Sequence, residues 1–155
     1  MQTQSIFKTV LAVAVMLVMY SFTANKFQTP NEISLKVKVS SVKTAEGNIH
    51  VLLFNQAVGY PTNPAKAFKH IKGKATAGEV NITIDKLPAG TYSIVAFHDK
   101  NANEEFDKSW FGSPKEDYGF SNIPSEFCGT PSFQQTSFVV NPASNSVTVK
   151  LMNLN

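Results

Sequence analysis

From Ile33 to Val39 the chain alternates apolar and polar residues without a break. A two-residue period sends Ile33, Leu35, Val37 and Val39 to one face of a strand and Ser34, Lys36 and Lys38 to the other, which is the pattern of a half-buried strand. Glu46-Gly47-Asn48 reads as a turn, and Ile49 to Phe54 as a second strand. Val51-Leu52-Leu53-Phe54 is apolar on both faces, which places that strand in the middle of a sheet. The two strands are expected to pair as a hairpin. Glu79 to Ile84 alternates again, with Val80, Ile82 and Ile84 inward. Leu87-Pro88-Ala89-Gly90 then turns the chain into a strand from Thr91 to His98. Ser137 to Val140 and Ser146 to Met152 complete the series, joined by the turn residues 141–145.

Two stretches depart from this pattern. After the turn-rich residues 59–64, Ala65 to Ile71 is expected to form one or two helical turns, with Asn63 as N-cap and Pro64 at the first helical position. Asn101 to Gln135 is a long irregular segment holding Trp110, Phe111, Tyr118, Phe120, Phe127 and Phe133. Disordered segments are poor in aromatics, so this one is expected to fold back onto the body of the protein. About six or seven strands with turns between them and no long helical period predict an all-β fold. The expected architecture is an immunoglobulin-like or transthyretin-like antiparallel β-sandwich with one long irregular loop.

At 155 residues and 43% apolar composition, the chain has the length and composition of one globular domain. Lys8 precedes an apolar run from Val10 to Tyr20, the length of a signal h-region and short of the roughly twenty residues a spanning helix needs. Residues 1–24 therefore read as a signal peptide cleaved after Ala24, with 25–155 as a single secreted or periplasmic domain. An uncleaved membrane anchor is the alternative. Cys128 is the only cysteine, which excludes an intrachain disulfide. The net charge is +3, the lysines are dispersed, and there is no arginine. Nucleic-acid recognition relies on arginine for bidentate contacts, so that role is disfavoured.

Candidate chemistry is concentrated at the end of the Thr91–His98 strand. Asp99, Asn101, Asn103 and Asp107 occupy positions 1, 3, 5 and 9 of one short stretch. Ca²⁺ takes several oxygens from a tight loop, and this is the spacing with which calcium loops supply them. The backbone carbonyl near Glu105 and water would complete the shell. The alternative is a plain polar turn, since Asn and Asp bond to their own backbone. Position six, usually glycine because the backbone bends there, is Glu104, and position twelve is Trp110. The loop is thus not a complete helix–loop–helix calcium site, and Glu105, Glu116 or Asp117 is a candidate further carboxylate.

The stretches Leu87-Pro88-Ala89-Gly90-Thr91-Tyr92 and His98-Asp99-Lys100-Asn101-Ala102-Asn103, with Asp107, resemble a bacterial secreted family known only as a domain of unknown function (number 2141). Gly112-Ser113-Pro114-Lys115-Glu116-Asp117-Tyr118-Gly119-Phe120-Ser121-Asn122 and Pro131-Ser132-Phe133 fit the same pattern. The turn and the Asp/Asn loop are also similar to the calcium-binding B-type repeats of bacterial surface adhesins. The resemblance implies a sandwich fold and a secreted location, and it implies no activity.

The leading expectation is a non-enzymatic binding or structural module with a Ca²⁺-stabilised loop and an unknown cell-envelope or extracellular ligand. The rivals are a small cell-envelope hydrolase using His98 with Asp99 and a loop carboxylate, and a carbohydrate-binding module. His98, Trp110, Tyr118 and Phe120 are the candidate ligand surface, and exposure of Trp110 or Tyr118 would favour the carbohydrate reading. His98 has a blander alternative role, ordering the neighbouring loop through a hydrogen bond. His50 and His70 lie in different segments without zinc-ligand spacing.

Overall fold

A computed structural model describes residues 32–123, 127 and 129–152. The leader, its cleavage site and Cys128 lie outside the described residues. Eight strands run as β1 (Ile33–Val42), β2 (Asn48–Phe54), β3 (Lys69–Lys74), β4 (Gly78–Leu87), β5 (Gly90–Asp99), β6 (Tyr118–Phe120), β7 (Phe138–Val140) and β8 (Ser146–Lys150). One helical turn, α1 (Phe133–Thr136), is held by a capping box between Ser132 and Gln135.

The strands form two sheets, β4-β1-β8 and β3-β2-β5-β6, with β7 also pairing with β5. All pairings between these strands are antiparallel except β1 with β8, in register Val37↔Val147. The sheets pack face to face as a β-sandwich. Leu35, Val37, Val39, Ile49, Val51, Leu53, Ile82, Ile84, Ile94 and Ala96 are among its core residues. Each large aliphatic side chain there contributes roughly 1.5–3 kcal/mol by leaving water.

The expected hairpin of the first two strands does not form. β1 pairs with β4 and β8, while β2 pairs with β3 and β5 in the other sheet. Alternation specifies which face of a strand is buried, not which strand lies beside it, so the crossing between layers was not encoded in the period. The expected helix at Ala65 to Ile71 shrinks to a 3-10 turn at Pro64–Lys66, capped by Asn63 Oδ1 accepting from the Ala65 N–H at 3.1 Å. The chain is extended again from Lys69, where β3 takes its register from β2.

β2 and β5 are buried on both faces. Their outer face carries Leu52, Phe54, Val95 and Phe97, which form a second apolar cluster with Phe120. Tyr60 and Phe106 from the loops, Tyr118 on β6 and Phe133 on α1 pack against it. The long segment therefore folds back as expected, through edge-to-face contacts such as Phe106–Tyr118 and Tyr118–Phe120, at 5.8 and 5.7 Å. β6 passes so close to β8 that a Cβ at Gly119 would lie 2.3 Å from the Lys150 carbonyl oxygen. Only glycine lets the two sheets meet at that corner, where the Met152 N–H donates to the Tyr118 carbonyl at 2.7 Å.

Candidate functional site

β5 carries its side chains alternately inward and outward, so His98 faces the sandwich interior while Asp99 lies on the outer side with Val95 and Phe97. Asp99 is fully buried. Its Oδ1 accepts the Asn103 N–H at 3.2 Å and its Oδ2 accepts the Glu104 N–H at 2.9 Å. Asn101 Oδ1 also accepts from the Asn103 N–H, and Asn103 Oδ1 accepts from the Glu105 N–H at 3.0 Å. Across the loop, Asp107 accepts the Asn101 and Asn103 Nδ2–H groups at 2.8 and 3.2 Å. The loop thus closes on its four short polar side chains. Ala102 and Glu104 both adopt left-handed backbone, φ +57° and +68°. The sixth position therefore bends where a glycine would bend, at a cost on the order of 1 kcal/mol per such residue. The Glu104 side chain pairs with Lys72 on β3.

Of the three candidate extra carboxylates, Glu105 is exposed on the loop surface, while Glu116 and Asp117 are buried behind it. Glu116 Oε2 accepts the Asp107 N–H at 3.2 Å. Burial pushes the Glu116 carboxyl up to about 7, opposed by that backbone donor and reinforced by the charges of Asp99 and Asp107. Asp117 sits between Lys100 at 3.3 Å and Lys43 at 3.9 Å, and its carbonyl accepts the His98 N–H. Among the described residues no three His, Cys, Asp or Glu side chains are grouped to hold a metal ion. Any cation bound here must draw on amide oxygens as well.

His98 is not part of a ligand surface. It is fully buried, and its Nε2 bonds at 2.7 Å to the Glu46 carbonyl in the turn between β1 and β2. The inward phase of β5 puts it out of reach of solvent, so it orders the turn instead. Gly47 completes that contact. Its φ is +67°, and a Cβ there would lie 1.9 Å from the Asp99 carbonyl oxygen.

A different pair of histidines does meet. His50 on β2 and His70 on β3 share the outer face, with His50 Nδ1 2.8 Å from His70 Nε2. His50 Nε2 lies 3.3 Å from Asp99 Oδ2. That contact lacks hydrogen-bond geometry, so it brings a buried imidazole and a buried carboxylate together without fixing the tautomer of either ring. Burial holds both imidazoles below the usual histidine range. Sequence spacing missed the pair because the lysines and glycine of β3 masked its strand pattern; the alternation of Ile71 with its polar neighbours was the available signal.

His70, Glu104 and Glu105 line a groove of about 540 Å³ together with Leu52, Val95, Phe97 and Phe120. Tyr118 is half-buried and Phe120 buried in its wall. Trp110 and Phe111 behave differently, being 97% and 92% exposed. No described helix is long and apolar enough to cross a membrane.

Residues 37–148 match the model of a family described as "Uncharacterized protein conserved in bacteria (DUF2141)". No curated protein and no solved structure matches the chain.

Proposed function

The chain belongs to this uncharacterized bacterial family, and we propose that it is a secreted, non-enzymatic binding or structural module whose Asp99–Asp107 loop takes Ca²⁺. The single observation that carries this reading is the convergence of Asp99, Asn101, Asn103 and Asp107 around one bend, with position six left-handed despite being Glu104. The donor set fits a hard cation: two carboxylates and two amide oxygens at spacings of one, three, five and nine. Each amide oxygen has two lone pairs and gives one to a backbone N–H, which leaves the other for a cation. Asp107 would exchange its two Nδ2–H donors for the ion. The secreted location is supported by the charge and apolar run of residues 1–24.

A cation there would cross-link the end of β5 to the root of the long segment and so hold one wall of the groove. Two carboxylates and two amides make a weak site, with Kd on the order of 10⁻⁴ to 10⁻³ M. A hydrolase built on His98 draws no support from a fully buried histidine whose Nε2 bonds to a backbone carbonyl. The carbohydrate reading gains the exposure of Trp110, but the neighbouring hairpin residues are Ser109, Phe111 and Gly112, which supply little to hydrogen-bond a sugar.

The test is thermal unfolding in EDTA and then in about 10 mM Ca²⁺, for the parent and for Asp107→Asn. Binding only to the folded state predicts a rise of the order of 5 °C in the parent. The variant should show little rise. An unchanged parent midpoint would leave the loop as a polar turn.

A further inference from the structure

Beyond the polar loop the chain builds a second, separate device. Residues 107–115 form a tight hairpin in which the Lys115 N–H donates to the Asp107 carbonyl at 2.9 Å and the Ser109 N–H to the Ser113 carbonyl at 2.7 Å. The Gly112 N–H returns to the Ser109 carbonyl at 2.9 Å, and the Ser113 N–H reaches Ser109 Oγ at 3.1 Å. Gly112 has φ +81°, which sharpens the turn. At its tip stand Trp110 and Phe111, 97% and 92% exposed.

These two side chains have been left out of a fold that had room for their relatives. Phe106, Tyr118, Phe120 and Phe133, from the same long segment, all pack against the outer sheet face. Adjacent, almost fully exposed Trp and Phe on an ordered turn form an apolar projection that the described residues leave uncovered. The charges nearest the tip in the chain are basic, with Asp107 and Glu116 one residue further out. Lys108 and Lys115 flank the tip, both exposed, and no acidic residue lies between them.

We propose that this hairpin docks the protein onto an anionic lipid bilayer surface. Trp110 and Phe111 enter the boundary between headgroups and acyl chains, and Lys108 and Lys115 contact lipid phosphates. Three features select this occupant. An indole is amphipathic and favours that boundary. Lysines beside an apolar tip complement a negative surface. The tip is convex, and a bilayer accepts a convex probe without a matching pocket, whereas a sugar or a second copy of this chain needs a complementary face. The inference is independent of the calcium reading, since neither aromatic nor either lysine belongs to the polar loop.

Trp110 is the only tryptophan of the chain, so its emission reports the tip even when the apolar run at residues 10–20 also meets lipid. Full-length protein in EDTA is mixed with phosphatidylcholine vesicles, with and without phosphatidylglycerol. The expected result is an emission shift to shorter wavelength on anionic vesicles, with quenching by brominated acyl chains, and little change on neutral ones. Lys108→Glu with Lys115→Glu should abolish the shift. Phe111→Ser should lower the partition of the tip by about tenfold or more. Both variants should keep the parental thermal midpoint. Emission that stays unchanged while the protein floats with anionic vesicles would overturn the proposal. So would an equal shift on neutral vesicles, a shift that grows with protein concentration in the absence of lipid, or one produced by soluble polysaccharide alone.

Discussion

Glu116 accepts the backbone N–H of Asp107 from beneath the polar loop, Oε2 to N at 3.2 Å. The contact ties the two ends of the hairpin stem to a carboxyl that is itself buried. Its folded pKa of about 7 lies above the ordinary value of 4.5. The native state therefore binds more protons than the unfolded chain between those two values. Stability from this group is fully present below pH 4.5 and is lost as pH rises through 7. His50 and His70 act in the opposite sense, because their depressed folded values cost stability as pH falls through 6.5. Comparison of the parent with Glu116→Gln separates the two. In EDTA, the difference between their unfolding free energies should change across pH 4.5–7 and be flat below and above.

Gly47→Ala should destabilise the fold by more than about 1 kcal/mol, since the new side chain meets both left-handed backbone and a carbonyl. The Cβ would lie 1.9 Å from the Asp99 oxygen, and backbone on that side is held by His98 and Glu46. Urea unfolding of the two proteins measures the loss. A variant as stable as the parent would mean that the turn moves away from β5 without cost.

The His50 ring should titrate below 6.5 in the folded protein, first because it is buried and then because His70 stands beside it. Proton NMR of the imidazole C–H resonances reads this directly. Replacing His70→Asn removes the second cause while keeping a polar neighbour, so the His50 midpoint should move upward. No movement would show that burial alone sets it.

Leu53→Ala should cost roughly 2–5 kcal/mol, because Leu53 is fully buried between the two sheets and its removal opens a cavity. Val139→Ser, at a position 55% exposed, should stay within about 0.5 kcal/mol. Denaturant midpoints of the pair check whether the sandwich interior, and not the edge strand β7, carries the stability.

Much of the architecture follows from the sequence because burial on one face leaves a two-residue period. Ile33 to Val39 and Val80 to Ile84 show the inward side chains of β1 and β4 directly, and the doubly apolar run at Val51 to Phe54 marks β2 as a covered central strand. The polar loop was also legible, since Asp99, Asn101, Asn103 and Asp107 are close in sequence and their contacts are made within one turn. Local spacing is enough when the partners are local.

Tertiary structure alone decided the rest, because those contacts join residues whose separation carries no period. β1 and β2 went to different sheets, and β8 joined β1 in parallel, choices made by packing between layers. Pairing of β2 with β3 brought His50 and His70 together, and pairing of β2 with β5 set His50 beside Asp99. The fold also divided the aromatics of one segment, burying Phe120 and half-burying Phe106 while leaving Trp110 and Phe111 in solvent. All four are aromatic residues of one irregular stretch, and the sequence does not sort them. What separates them is where the hydrogen bonds of the 107–115 hairpin aim the chain, and that direction exists only once the sheet beneath it is in place.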